Sequence, residues 1–241
     1  MKNYRSFKTV STTFSYLIFI LISLIVFYPL VYVVAAAFAP GNGIANMNIV
    51  PFKDGFTLKH FKYLFFETQY WLWFKNTFII ALWTTLLTVV ISSLSAYVFS
   101  RFKFVFKHTL LMSMLILQIF PSFVGMIAIY VILNRIGGLD TLWGLVLVYV
   151  AGGIPYNTWM VKSYMDTVSK NLDEAARIDG ASHFRIFGTI ILPVTKPIIT
   201  FLGISSFTGP KKDFIFPKFV LRSPEKQKLA LGLFYKKKKK K

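Results

Sequence analysis

The stretch DEAARIDGASHFRIFGTIILP (residues 173–193) is polar and charged in a chain that is otherwise mostly apolar. Its first half predicts a short helix. Asn171 is placed to cap this helix, with Glu174 three residues later in the position of a capping box. Arg177 follows at helical spacing for ion pairs with Asp173 and Glu174. These pairs would support a helix at the surface.

The second half of the stretch predicts a tight turn and another helix. Gly180 is placed to end the first helix in a left-handed conformation. Ser182 is placed to cap a second helix, which we expect to stop before Pro193 because proline disfavours helix in the residue that precedes it.

The composition indicates that lipid surrounds most of the chain. The 241 residues are 55% hydrophobic and 15% charged, whereas soluble domains are about 25% charged. The absence of cysteine excludes disulfides and thiolate metal sites. The three histidines lie far apart, so we expect no metal site.

Long runs without charged residues predict membrane spans, because about 20 helical residues cross a bilayer. A soluble bundle would need polar faces, and these runs have almost none. The fifth run is short and is followed directly by Lys211 and Lys212. No sixth span is readable after it. The predicted spans cover approximately residues 14–39, 76–100, 109–134, 141–161 and 194–216.

Basic residues at the ends of the spans predict the orientation. Positive charge favours the cytoplasmic side, which places the N-terminus and the loop 162–193 there and residues 210–228 outside. The residues that decide this are Lys2, Arg5, Lys8, Arg101, Lys103, Lys107, Lys162, Lys170, Arg177 and Arg185.

The net charge of +19 does not indicate a nucleic-acid partner. Residues 201–241 hold 12 basic and two acidic groups, and six of the basic groups are the terminal lysines 236–241. A run of one residue resembles a tag or unassigned sequence. We therefore give this tail no functional weight.

The segment EAARIDGASHFRIFGTIILP matches the spacing EAA-x3-G-x9-I-x-L-P, which resembles the signature of membrane subunits of bacterial ABC importers. PYNTWMVKSYMDTVSKNLDEAARIDGAS and FTGPKKDFIFPKF resemble the carbohydrate-uptake branch, near the smaller membrane subunit of maltose/maltodextrin transporters. The matching positions are Glu174, Ala175, Ala176, Gly180, Ile190, Leu192 and Pro193.

This resemblance implies an all-α integral membrane protein with the type I ABC importer transmembrane fold. Five spans are readable where the family has six, in one permease domain over residues 1–235. The motif would form a coupling helix that docks on an ATPase. The implied location is the bacterial cytoplasmic membrane, with several spans.

The resemblance also implies partners: a second homologous membrane subunit, two ATP-binding cassette subunits, an extracellular carbohydrate-binding protein and a sugar. The sequence has no G-x-x-x-x-G-K-[ST] loop to cradle phosphate. We therefore expect no enzyme activity and no cofactor in this chain, with ATP and Mg²⁺ bound by the ATPase subunits.

A few polar residues within the spans are candidates for the sugar path. Gln118 precedes a proline, and Tyr156 and Asn157 follow a GGIP sequence that predicts a helix break. The alternative is that Gln118 and Asn157 bond a neighbouring helix.

The outer loop 210–228 is a candidate contact for the binding protein, through Lys218, Arg222 and Ser223. Its prolines predict a stiff, non-helical segment, and in the related maltose subunit the corresponding loop reaches the binding protein. The alternative is a passive tether.

Two other classes of function stay open from the residues alone. An ion-coupled secondary transporter commonly uses buried acids, and the first four spans lack them. A membrane scaffold without transport activity is the other class. ATPase binding and stimulation would separate the importer from both.

Overall fold

The computed structural model describes residues 2–41, 50–119 and 124–239, and these residues form helices and turns without strands. The chain divides into two compact units, Met1–Gln69 and Tyr70–Lys241. Both units are helical, as expected for long apolar runs.

The first unit contains α1 (Lys2–Phe38) and α2 (Lys59–Phe66). Large apolar side chains between Phe14 and Val34 are exposed along α1. A helix with apolar residues on all sides is stable when lipid or another subunit surrounds it.

Aromatic packing fixes the end of α1 within this unit. The Phe38 ring stacks on Phe56 with centroids 4.7 Å apart and lies 5.0 Å from Phe61. His60 Nε2 lies 3.0 Å from the Ala39 carbonyl oxygen. Positions 42–49, between α1 and α2, lie outside the described residues.

The second unit is a bundle of longer helices with short helices at its two ends. Among the described residues its helices are α3 (Tyr70–Arg101), α4 (Lys107–Ile119), α5 (Met126–Arg135), α6 (Leu142–Asp166), α7 (Asn171–Ile178), α8 (His183–Val194), α9 (Lys196–Lys212), α10 (Ile215–Val220) and α11 (Leu229–Lys239), with a 3-10 turn at Pro224–Lys226.

Helix α3 is the centre of this bundle and packs along α6 and α9. Its buried face carries hydroxyl residues at helical spacing, Thr84, Thr88 and Ser92, and Thr158 of α6 is buried as well. Small residues let helices approach closely where lipid provides no hydrophobic driving force. The α3–α6 interface therefore depends on close packing of small side chains.

Two apolar clusters lie at the two ends of this bundle. The end that holds α7 and α8 is called the motif end, and the end that holds residues 137–141 and 213–228 is called the loop end. The motif-end cluster is Ala96, Tyr97, Val161, Met165, Val168, Ile186, Ile191 and Leu202. The loop-end cluster is Ile80, Leu133, Leu145, Val146, Val150, Phe216, Val220, Leu221 and Leu231.

Three helical segments among the described residues are long and apolar enough to cross a membrane: Thr12–Phe38, Tyr70–Arg101 and Leu142–Asp166. Helices α8 and α9 count as a fourth if the pair is one span, and they bend by 83° at the break between them. Lys211 and Lys212 form the last turn of α9, where cations suit the helix dipole.

Two predictions about the spans differ from the structure. In place of one helix over 109–134 there are α4 and α5, and positions 120–123 between them lie outside the described residues. The predicted break at GGIP is wrong, because α6 continues through Pro155.

Gly232 of α11 tests the packing at the loop end. A Cβ atom at Gly232 would lie 2.2 Å from the Trp73 indole, whereas a Cβ at Gly203 of α9 would meet nothing within 4 Å. We expect Gly232→Ala to destabilise the chain by about 1–3 kcal/mol through overpacking and Gly203→Ala to stabilise it slightly through helix propensity. Thermal unfolding of both variants in detergent would check this. Equal midpoints would contradict the packing of α11 on α3.

Candidate functional site

The turn between α7 and α8 has the geometry that the motif predicts. Gly180 has φ +80°, which confirms the left-handed conformation. Its N–H donates to the Arg177 carbonyl, and the N–H of Ala181 donates to the Ala176 carbonyl, the pair of bonds that defines a Schellman motif. The Ser182 hydroxyl accepts from the Arg185 N–H at 3.3 Å, which confirms the predicted cap of α8.

The start of α7 differs from the prediction. Asn171 is the first helical residue, and its N–H donates to the hydroxyl of Ser169 at 3.3 Å. The cap position falls on Lys170, whose side chain makes no capping bond. The predicted Asn171 cap is therefore wrong, because Asn171 is already helical and the Glu174 N–H that its side chain would cap donates to the Lys170 carbonyl at 3.0 Å.

The predicted ion pairs of Arg177 are also wrong for the part of the chain that the structure describes. Asp173 pairs instead with Arg101 at the end of α3, with Nε and Oδ2 2.9 Å apart. The Arg101 side chain is 6% exposed and that of Asp173 12%. Arg101 was missed as a site residue because the two partners lie far apart in sequence.

Helix α8 does not stop before Pro193. It passes through a π turn at Phe187–Ile191 and ends at Val194. A π turn widens the helix and shifts its hydrogen bonds, which relieves the clash that the Pro193 ring would otherwise make with a preceding carbonyl. The bend into α9 follows at Thr195, whose hydroxyl donates to the Ile191 carbonyl at 2.7 Å.

The motif residues divide into an exposed and a packed group. Glu174 and Ala175 are exposed, as is Pro193. Ala176 and Ile190 pack against the motif-end cluster. Leu192 is half-buried. The structure therefore places the motif where one face supports the fold and the other is open to contact.

Two large apolar side chains beside the Gly180 turn were not identified from the sequence. Ile178 is 88% exposed and Phe184 82% exposed. Apolar residues outside the spans, next to a polar turn, were the signal that could have found them. Two exposed apolar side chains on either side of one turn make this turn a candidate contact surface.

A cleft of about 380 Å³ lies between the end of α3 and α7. Basic and acidic groups share its walls. The lining residues are Tyr97, Arg101, Phe102, Lys103, Lys170, Asp173, Glu174, Arg177 and His183. No group of three His, Asp or Glu residues in the described ranges is arranged to hold a metal ion.

The candidate residues for the sugar path lie on two helices. The Gln118 side chain is exposed on α4 and donates to the Met114 carbonyl of its own helix at 3.3 Å. Tyr156 is 57% exposed, whereas Asn157 is buried on α6. The three residues do not form a hydrogen-bonded cluster within the described structure, and their role stays a prediction.

At the loop end, Asp140 holds the segment that follows α10. Its carboxylate accepts from the backbone N–H of Arg222 at 2.9 Å and of Ser223 at 3.0 Å, and from the Ser223 hydroxyl. Lys226 Nζ lies 3.7 Å from this carboxylate. Burial raises the pKa of Asp140, but these hydrogen bonds and the lysine outweigh it and lower the pKa to about 2.

Two of the three residues predicted to contact a binding protein therefore form hydrogen bonds within the chain. The Arg222 guanidinium donates to the Tyr130 hydroxyl, and the Ser223 hydroxyl donates to the Asp140 carboxylate. Lys218 is exposed, with Nζ 5.4 Å from the centre of the Phe234 ring. The prediction of a non-helical loop is wrong for α10, where Asp213 accepts from the Ile215 N–H at 3.0 Å and starts the helix.

A buried lysine also ties the loop end together. Lys228 is fully buried, donates to the Tyr149 hydroxyl at 3.2 Å and bonds the Pro210 carbonyl. The Tyr149 hydroxyl donates to Asp213 at 2.7 Å. This chain of bonds joins α6, the end of α9 and the start of α11.

Comparisons with known proteins agree with this architecture. Residues 88–236 match the family described as the binding-protein-dependent transport system inner membrane component. The maltodextrin transport system permease protein MdxG of Bacillus subtilis is 43% identical, over 91% of this chain and 78% of that protein. The galactooligosaccharides transport system permease protein GanQ of the same species is 40% identical, over 92% of this chain and 78% of that protein.

A solved structure shares the fold. The crystal structure of a bacterial ABC transporter involved in the import of the acidic polysaccharide alginate superposes with a TM-score of 0.79 at 18% identity, over 95% of this chain and 80% of that chain. The fold is that of a membrane component of an ABC importer. The chain belongs to the family of binding-protein-dependent transport system inner membrane components, and it is a multi-pass membrane permease.

Gly180 tests the α7–α8 turn. No atom lies within 4 Å of a Cβ at this position, so only the backbone conformation opposes a side chain. Asparagine tolerates this region and valine does not. We expect Gly180→Val to cost about 1–2 kcal/mol and to weaken transport, with Gly180→Asn close to the parent chain. Substrate uptake in cells would check this, and equal uptake by both variants would contradict it.

The pH dependence of the contacts made by Asp140 provides a test of the loop end. A carboxyl whose pKa is lowered stabilises the fold above its ordinary pKa of about 4 and loses this contribution as the pH falls towards 2. A spin label on a cysteine at Glu225 should therefore keep its mobility between pH 7 and pH 5. Asp140→Ala should raise the mobility at pH 7, with Asp179→Ala as the control. Loosening of the parent chain by pH 5 would contradict this.

Proposed function

We propose that this permease imports an oligosaccharide of the maltodextrin type and that ATP hydrolysis by partner subunits drives it. The relatives support the substrate class, because their names specify maltodextrin and galactooligosaccharides. Two ATP-binding cassette subunits would bind ATP and Mg²⁺, and a second membrane subunit would complete the pathway. An extracellular binding protein would deliver the sugar.

The observation that carries the proposal is the exposed surface of α7 and α8. Ile178 and Phe184 present apolar side chains on either side of the Gly180 turn, and Glu174 adds an exposed carboxylate. An ATPase groove that receives these groups would bury two apolar anchors and one charge. Such anchors commonly supply most of the energy of an interface.

The orientation follows from the same assignment. The motif end would face the cytoplasm, with the N-terminus, and the loop end would face outward. Basic groups at the motif end, including Arg101, Lys103 and Lys107, support this orientation. The loop end would then meet the binding protein through exposed Lys218, and rim charges of this kind mainly change association rates.

The sugar would pass beside α4 and α6. Tyr156 offers an exposed aromatic ring and hydroxyl, and Gln118 offers an exposed amide. Sugars bind through stacking and hydrogen bonds. Asn157 is buried on α6, so its amide would bond within the bundle and would not contact the sugar.

Purification of the tagged permease from its host membranes tests the proposal. We expect an ATPase with a phosphate-binding loop and a second permease to copurify. The reconstituted complex should hydrolyse ATP faster when a sugar-loaded binding protein is added. Sugar uptake that needs a proton gradient and no ATPase would contradict the proposal.

A charged residue in place of Ile178 tests whether α7 and α8 form the contact surface for the ATPase. Ile178→Asp should lower ATPase copurification and sugar uptake at least tenfold, because it puts a charge into a desolvated groove. Val105→Asp is the matched control, since Val105 is 92% exposed outside α7 and α8. This control should change both quantities less than twofold. Equal losses in the two variants would remove the assignment of the groove to α7–α8.

A further inference from the structure

Arg101 occupies the junction of three helices at the motif end. It is the last residue of α3, and its side chain is almost fully buried. A buried guanidinium is stable only when its donors are bonded and its charge is paired. Here both Nη atoms donate to carbonyls at and just after the end of α6, and Asp173 of α7 pairs with the charge.

The two ends of the guanidinium fork bind the end of α6 and the turn after it. Nη1 donates to the Met165 carbonyl at 3.1 Å, and Nη2 donates to the Val168 carbonyl at 3.0 Å. Helix carbonyls at a C-terminus are unpaired and carry partial negative charge. Arg101 therefore joins α3 to the end of α6 on the side nearest α7.

An ion pair joins Arg101 to α7. Nε lies 2.9 Å from Asp173 Oδ2, in the first turn of α7. Arg101 Nε and both oxygens of Asp173 are buried and make no hydrogen bond among the described residues, so the contact between the two side chains is an ion pair. The position of Asp173 thus depends on Arg101, and this is the one ion pair between α7 and the long helices in that part of the chain.

Side-chain packing does not fill the space around this pair. Arg101 and Asp173 line the cleft of about 380 Å³ between α3 and α7, together with Tyr97 and Lys103. Ala176 contacts the motif-end cluster on one side of α7. A displacement of α7 would therefore reach α3 and α6 partly through a polar link rather than through a packed core alone.

We propose that Arg101 is a positioning residue for coupled transport, which transmits the movement of α7 to α3 and α6 through Asp173. This inference rests on the proposed function, because it assumes that an ATPase moves α7. Lysine would be a poor replacement, since its single ammonium group lacks the planar fork that reaches the two carbonyls while the charge is paired with Asp173.

The test uses Arg101→Lys and Arg101→Gln in the assembled transporter, with Lys162→Gln as the matched control. Lys162 forms an ion pair with Asp166 inside α6 at the same end of the bundle. We expect both Arg101 variants to retain the ATPase while sugar uptake falls at least tenfold. Stimulation of ATP hydrolysis by the loaded binding protein should be lost. The control should stay within twofold of the parent.

A double variant separates positioning from stability. Arg101→Met with Asp173→Leu removes both buried charges, and apolar replacement of such a pair is often neutral for stability. We expect this variant to reach the parent level in the membrane and to copurify with the ATPase, with uptake still lowered at least tenfold.

Three results would overturn the inference. Normal uptake by the single variants is one, and recovery of uptake in the double variant is another, because the pair would then serve stability alone. Failure of every variant to accumulate in the membrane is the third, since it would assign the pair to folding. If no ATPase copurified with the unsubstituted chain, the proposed function itself would be refuted.

Discussion

Polar groups that leave water in this chain need partners in the protein, and at the motif end the Arg101 guanidinium satisfies several of them at once. It bonds carbonyls at the end of α6 and pairs with Asp173 of α7. Because a buried charge without a partner is costly, these three helices keep a fixed relation. The turn at Gly180 then sets where α8 and the bend into α9 can lie.

The same principle operates at the loop end with different groups. Asp140 accepts from the backbone of Arg222 and Ser223, and the buried Lys228 joins Tyr149 to the Pro210 carbonyl. Between these polar ends, α3 and α6 meet through small hydroxyl residues and apolar contacts. The bundle is thus held at its ends by directed bonds and in its middle by close packing of small side chains.

The sequence was sufficient to predict local features and the family. Gly180 and Ser182 act where their chemistry requires, since a left-handed turn and a helix cap depend on near neighbours alone. The spacing of the EAA segment predicted the family, and the match over residues 88–236 confirms it. Local patterns therefore predicted the turn between α7 and α8 and the class of protein.

Features that depend on distant partners were not predictable. Asp173 was assigned to Arg177 by helical spacing, yet Arg101 from another helix reaches it. Proline patterns predicted breaks at Pro155 and before Pro193, yet α6 continues through Pro155 and α8 passes through a π turn and includes Pro193. The exposure of Ile178 and Phe184 depends on how α7 and α8 pack, which periodicity over so few residues does not determine.

Direct identification of the protein that meets α7 and α8 tests the central claim. The chain has no cysteine, so a single cysteine at Ile178 can carry a thiol-linked photoactivatable probe in the assembled membrane complex. Mass spectrometry of the adduct should find peptides of the nucleotide-binding ATPase subunit. Adducts confined to lipid, to the other permease or to the extracellular binding protein would contradict the account.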